Sequence, residues 1–226
     1  MKISIIIPCY NEEASIARVI RSIPKTKEFF EVVVIDNNST DRTAEIAEKN
    51  GARVVREKKI GVGAAIKKGF TVAGGDVLAV IDGDGQHPVD QIIPMMRLLE
   101  TLNVDFVVGS RFPLKDMTMR PLRLIGNHFF NIAIRIIFGI KLSDSQSGMW
   151  VFRKEVLNHI AVANEGFSMP QEIQIRAATH PLLYFAEHHI VCAERVGVSK
   201  LSPVKDGFKN LIALFKLKKE FYKNDI

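Results

Sequence analysis

Two carboxylates one residue apart, Asp82 and Asp84, follow the apolar run Val77 to Ile81, with Gly83 between them and Gln86, His87 and Pro88 just beyond. Such a run reads as a buried strand. It delivers both acids to the strand's C-terminal end, where open α/β sheets bind ligands. Paired hard oxygen donors suit Mg²⁺ or Mn²⁺, ions that usually arrive with a phosphorylated substrate. The amide oxygen of Gln86 can complete the set. Because phosphates would supply the other ligands, the ion would bind weakly without them. Gly83 lets the backbone approach something bulky. Taken alone, the segment fits an acidic turn after a strand equally well.

A second strand end carries Asp36, followed by Asn37, Asn38, Ser39, Thr40, Asp41, Arg42 and Thr43. A carboxylate there can accept the imino N–H of a base such as uracil or guanine, while Ser39 to Thr43 read as a helix cap. Gly61-Val62-Gly63 superficially resembles a phosphate-cradling loop but is not a Walker sequence. Close packing of a helix explains its glycines at least as well. Arg111, Arg120 and Arg123, and later Arg195, Ser199 and Lys200, are each ordinary solvated polar residues taken singly. As a set they could neutralise phosphates on either side of a metal. His188 and His189 are adjacent on a strand, so they point to opposite faces and cannot chelate together. No nucleophilic-serine motif, zinc spacing or supported Cys-His pair is present.

The elements that must position these residues follow from periodicity. Strands are expected at Ile3 to Ile7, Glu31 to Ile35, Ala52 to Arg56, Asp76 to Ile81 and Asp105 to Gly109. Helices are expected from Asn11, as N-cap, to Ser22, from Ser39 or Thr40 to Asn50, from Gly61 to Ala73, and from Val89 or Asp90 to Thr101. This alternation gives an α/β fold with a mostly parallel sheet covered by helices on both faces. It places Pro8 to Tyr10, Asp36 to Asn38 and Asp82 to Asp84 along one edge. After Ser110 the rhythm fails. Leu124 to Ile140 reads either as a buried helix or as one lying in a membrane surface. Strands are expected at Met149 to Phe152 and His189 to Arg195, and a helix at Gln171 to Thr179. A basic amphipathic helix is expected from Phe208 to Tyr222, with Phe208, Leu211, Ile212, Phe215 and Tyr222 on its apolar face.

Composition bounds the partners. The 226 residues, 47% hydrophobic and 25% charged, make an ordinary globular chain. Its net charge of +6 could favour nucleic acid, anionic lipid or phosphorylated ligands, and the excess gathers between Lys200 and Lys223. Cys9 and Cys192 sit in apolar contexts and read as reduced thiols of a cytoplasmic protein. Neither a signal peptide nor a simple membrane span is legible.

The motifs Ile6 to Glu12, Asp36 to Thr43, Asp82 to Pro88 and Gly109 to Arg111, in this order and spacing, resemble family 2 glycosyltransferases of the GT-A fold, which is Rossmann-like. They look most like the dolichol-phosphate mannose synthase branch, the polyprenyl-phosphate glycosyltransferases. Asp144 to Trp150 resembles that branch's Ser-Gly-Phe segment, and Arg195 to Lys200 its late basic motif. The resemblance covers Ile3 to Lys200, giving a transferase domain over residues 1–200 and a basic segment over 201–226. It implies that Pro8, Tyr10, Glu12 and Asp36 hold the nucleoside of a GDP- or UDP-sugar. Asp82, Asp84 and Gln86 would hold Mg²⁺ or Mn²⁺ and the diphosphate. Arg111 and Arg123 would face the acceptor phosphate, and Arg195 and Lys200 would secure phosphates from the closing side. Asn37 and Met149 depart from the family pattern, which often has an acid and a phenylalanine there.

The expected reaction is an inverting displacement in which a hexose passes to a polyprenyl phosphate, on an enzyme held peripherally at the cytoplasmic face of the membrane. An acceptor phosphate is already anionic and needs no strong base. Two alternatives stay open: transfer to a sugar hydroxyl, with Glu172 as the candidate base, and a non-catalytic sugar-nucleotide-binding membrane adaptor. A nucleic-acid partner is not expected, because the chain shows no motif for one.

Overall fold

A computed structural model describes residues 1–114, 121–197 and 203–224. In chain order the elements are β1 (Ile3–Cys9), α1 (Ile16–Ser22), β2 (Phe29–Asp36), α2 (Thr43–Lys49), β3 (Arg53–Arg56), α3 (Val62–Val72), β4 (Val77–Val80), α4 (Ile92–Thr101), β5 (Phe106–Ser110), α5 (Pro121–Phe138), β6 (Trp150–Arg153), α6 (Met169–Thr179), β7 (Phe185–His189) and α7 (Pro203–Asn224).

The strands form one seven-stranded sheet in the order β3-β2-β1-β4-β6-β5-β7. All pairs are parallel except those of β6, which runs antiparallel between β4 and β5. The central strands are continuous apolar runs because both faces are covered. On one face Ile16, Val19 and Ile20 of α1, Ala47 of α2 and Ile92 to Leu99 of α4 join Ile5, Ile7 and Ala79. On the other, Ala65, Ile66 and Phe70 of α3 and Met169, Ile173 and Ala177 of α6 join Ile6, Val80, Trp150 and Phe152. A third cluster lies where Phe130 and Ile134 of α5 meet Ile175 of α6 and Leu214 and Leu217 of α7.

Several local expectations need correction. Asn11 does not cap α1: it has a positive φ of 53°, and the helix starts at Ile16. The side chains of Asn11, Ser39 and Thr40 instead join the loops after β1 and β2. Asn11 N–H donates to Ser39 Oγ at 3.0 Å, and Thr40 N–H to Asn11 Oδ1 at 2.8 Å. The start of α2 therefore moves to Thr43, whose N–H donates to Asp41 Oδ1 at 2.9 Å. The last strand is Phe185–His189 rather than His189 to Arg195. Residues 191–197 leave the sheet and form a strap.

Both amphipathic segments resolve by face. Helix α5 buries Asn127, Phe130 and Ile134 and exposes Ile125, Phe129, Ile132 and Ile136. Helix α7 packs through Leu214 and Leu217 with Leu211 of the expected apolar face partly buried beside them, while Phe208, Ile212 and Phe215 of that face are exposed and the Tyr222 side chain lies outside the described residues. A stripe defined by helical period alone could point either way. Packing against α5 and α6 selected the leucines. No helix among the described residues is long and apolar enough to cross a membrane.

Candidate active site

Parallel pairing sets the edge. Cys9 lies opposite Asp36 on β2, and Ile6 opposite Val80 on β4. Ile81 N–H still donates to Ile6 O at 3.1 Å, after which the chain turns out through Asp82. Asp36 and Asp82 thus leave the same end of the sheet with only β1 between their strands, β2 and β4, which run about 10 Å apart at two strand spacings. The three segments expected to converge do so.

The turn after β4 is fixed from several sides. Gly83 is bare because a Cβ there would lie 2.6 Å from Cys9 Sγ. The bulky neighbour is therefore the chain's own β1, not a ligand. Ser15 Oγ donates to Gly83 O at 2.7 Å. His87, which the sequence left unassigned, accepts Asp82 N–H on Nδ1 at 2.9 Å. A neutral ring so bonded carries its proton on Nε2, 3.8 Å from Asp82 Oδ2. Asp84 is buried, whereas Asp82 is half-buried. Burial and the neighbouring Asp82 charge push the Asp84 pKa up. Gln86 N–H, His87 and Arg195 act against that rise without cancelling it.

The strap closes over this turn. Ala193 N–H donates to Gln86 O at 2.9 Å, and Val196 N–H to Asp84 O at 3.1 Å. Arg195 then places Nη1 2.9 Å from Asp84 Oδ2 and Nη2 3.1 Å from Glu12 Oε1. Tyr10 is exposed beside these groups in sequence, and Pro8 is half-buried.

Asp36 is buried and accepts Ser39 N–H at 3.3 Å. Its neighbour Asn37 is structural. Its amide donates to Lys59 O at 2.7 Å and accepts Gly61 N–H at 2.8 Å, tying down the loop before α3. Gly61 and Gly63 pack against the Glu165 backbone, which a Cβ on either would strike, so close packing and not a phosphate cradle explains them.

Arg111 forks onto Asp144, with Nε 2.6 Å from Oδ2 and Nη2 2.8 Å from Oδ1. Burial disfavours its charge, but the Asp144 carboxylate outweighs burial and raises the Arg111 pKa. Asp144 was not singled out in the sequence as a partner: the pair is 33 residues apart and has no local signature. Asn127 of α5 donates to Asp144 Oδ1 at 2.7 Å, and Asn131 to Ser143 O at 2.7 Å. The Arg123 side chain and Lys200 lie outside the described residues, as do Arg120 and Ser199.

The candidate base Glu172 is not free to act. It is buried and accepts Ala163 N–H, Asn164 N–H and Arg176 Nε, each at 2.8 Å. His188 and His189 have separate partners, Gln91 Oε1 and Pro113 O.

Among the described residues no three carboxylate, imidazole or thiolate groups form a cage. Two carboxylates at a strand end suit an ion that takes its remaining ligands from phosphate and water, the habit of Mg²⁺. Arg195 already sets a cation against Asp84. The residues fit the ion.

Comparisons with known proteins agree with this geometry. The profile described as Glycosyl transferase family 2 matches residues 4–161. A dolichyl-phosphate hexose transferase of Haloferax volcanii is 31% identical over 206 residues, 91% of this chain and 89% of its own length. A dolichol-phosphate mannosyltransferase of Pyrococcus furiosus is 32% identical over 195 residues, 78% of this chain but 53% of its own. Among solved structures, glucosyl-3-phosphoglycerate synthase of Mycobacterium tuberculosis, in complex with Mn²⁺, UDP-glucose and phosphoglyceric acid, superposes with a TM-score of 0.76 at 25% identity. That match covers 96% of this chain and 80% of the synthase. The fold is GT-A, and with acids, strap and sheet edge arranged as described, the chain belongs to glycosyl transferase family 2.

Proposed function

We propose that this protein transfers a hexose, with inversion, from a GDP- or UDP-sugar to a polyprenyl phosphate of dolichyl type at the cytoplasmic face of a membrane. The observation that carries the lipid acceptor is a physical link. The helix that exposes Ile125, Phe129, Ile132 and Ile136 is bonded through Asn127 and Asn131 to the loop whose Asp144 holds Arg111. An apolar helical face lying in the headgroup region would set the phosphate-binding arginine at the height of a lipid phosphate. The exposed Phe208, Ile212 and Phe215 of α7, amid its lysines, extend the same kind of surface. On this reading α7 belongs to a basic segment, residues 201–226, appended to a transferase domain of residues 1–200.

Pro8, Tyr10, Glu12 and Asp36 would bind the nucleoside. Asp82, Asp84 and Gln86 would hold Mg²⁺ or Mn²⁺, which supplies a Lewis acid for the departing diphosphate. Arg195 and Lys200 would neutralise phosphate oxygens as negative charge develops there. Arg111 and Arg123 would orient the acceptor phosphate, whose anionic oxygen attacks the anomeric carbon without a base. The engagement of Glu172 with backbone and Arg176 donors supports this base-free route.

The likeness to a synthase solved with phosphoglyceric acid favours a second reading, transfer to a hydroxyl of a small soluble acceptor. One experiment separates them. The full chain is incubated with radiolabelled GDP- and UDP-hexoses, Mg²⁺ or Mn²⁺, and vesicles holding polyprenyl phosphate. Label should pass into organic solvent only with the divalent ion present. Label reaching soluble products alone would overturn the lipid-phosphate reading.

A further inference from the structure

The carboxylate closest to the heart of the site is already engaged. Arg195 bridges Asp84 and Glu12 through its two terminal nitrogens, and the strap that carries it is pinned to the same turn by Ala193 and Val196 N–H groups. Its third donor differs: Nε is buried and has no acceptor among the described residues. A guanidinium with five N–H donors suits a forked oxyanion better than two separate carboxylates.

From this we infer that Arg195 is an exchangeable counter-cation that couples metal binding to diphosphate binding: it neutralises Asp84 until a nucleoside diphosphate takes it over and frees that carboxylate for the divalent ion. The inference rests on the metal and diphosphate roles proposed above and adds how they depend on each other. A metal arriving alone has to displace an existing cation from Asp84 and leave the guanidinium without an anion. A diphosphate arriving with the metal gives the guanidinium new acceptors, including one for Nε. Each ligand therefore tightens the other by the same factor, as linkage requires. After transfer, departure of the nucleoside diphosphate returns Arg195 to Asp84 and loosens the metal.

The test measures Mn²⁺ affinity by electron paramagnetic resonance on the full-length parent, Arg195→Gln and Arg195→Lys, each without nucleotide, with UDP and with GDP. Thermal melts report folding. In the parent, Mn²⁺ alone should bind weakly and one nucleotide should tighten it by about tenfold or more, the scale of one charge-assisted contact. Arg195→Gln should bind Mn²⁺ alone about tenfold tighter than the parent and lose most of the nucleotide effect. Arg195→Lys, which keeps the charge but not the fork, should fall between them. A merely structural role would lower the melting temperature without inverting the nucleotide-free affinity. If Arg195→Gln binds Mn²⁺ no tighter than the parent, or keeps the full nucleotide effect, the inference fails while the metal site stands. If no protein binds Mn²⁺ under any condition, the metal site and the inference fail together.

Discussion

Replacing Glu172 by Gln separates a structural acid from a catalytic base. In the structure the Glu172 carboxylate accepts Ala163 N–H, Asn164 N–H and Arg176 Nε at 2.8 Å each, and also the Asn164 amide. Glutamine offers one oxygen and one NH₂ group in the same space. Its nitrogen must face at least one existing donor, and among the described residues Arg176 keeps only the more exposed Glu220 as an anionic partner. Losing a charge-assisted bond and breaking a buried pair costs about 3 kcal/mol. In a chain of this length that corresponds to a fall of roughly 6–12 °C in Tm.

The pH dependence has a definite sign. Burial raises the pKa of Glu172, but its backbone, Arg176 and Asn164 donors outweigh burial and hold it below the usual carboxylate value. A depressed carboxylate stabilises the fold at every pH above its unfolded value, and the contribution is lost as pH falls through the folded value. The difference between parent and variant should be full at pH 7 and close only below the ordinary carboxylate range. Circular-dichroism melts at pH 7 and below the ordinary carboxylate range, with turnover measured well below the lower Tm, make the assay. An unchanged Tm would refute the structural role, and turnover abolished in a variant still folded would restore Glu172 as a base.

Asp84→Ala should lose metal-dependent donor binding, read by calorimetry, with Tm within a few degrees of the parent; unchanged binding would contradict the site. Gly83→Ala should cost about 1–3 kcal/mol because its Cβ meets Cys9 Sγ, and adding Cys9→Ala should recover much of that loss in denaturant melts. Additive losses would mean that the contact does not matter. Burial lifts the Cys192 thiol to about 11, so iodoacetamide at pH 8 should label it slowly in the native protein and quickly in denaturant; rapid native labelling seen by mass spectrometry would be the contrary result. Phe129→Glu and Ile136→Glu change exposed side chains and should leave Tm unchanged while weakening co-sedimentation with anionic vesicles. Equal sedimentation would remove α5 from the membrane-facing surface.

The sequence by itself determined the strand-end acids. An apolar run that fills both faces of a central strand and stops at Asp36 or Asp82 is a local pattern, and right-handed crossovers then leave little freedom over which edge those acids share. Helix starts were less legible. Asn11, Ser39 and Thr40 have the chemistry of caps, and only the approach of two loops showed that they bond to each other. Tertiary structure alone decided the insertion of β6 between β4 and β5, the Arg111–Asp144 pair, the outward face of α7 and the descent of Arg195 onto Asp84. These join residues distant along the chain. Which partner each finds depends on competition among strands, faces and charges for burial, and such competition is settled only when the whole chain is packed.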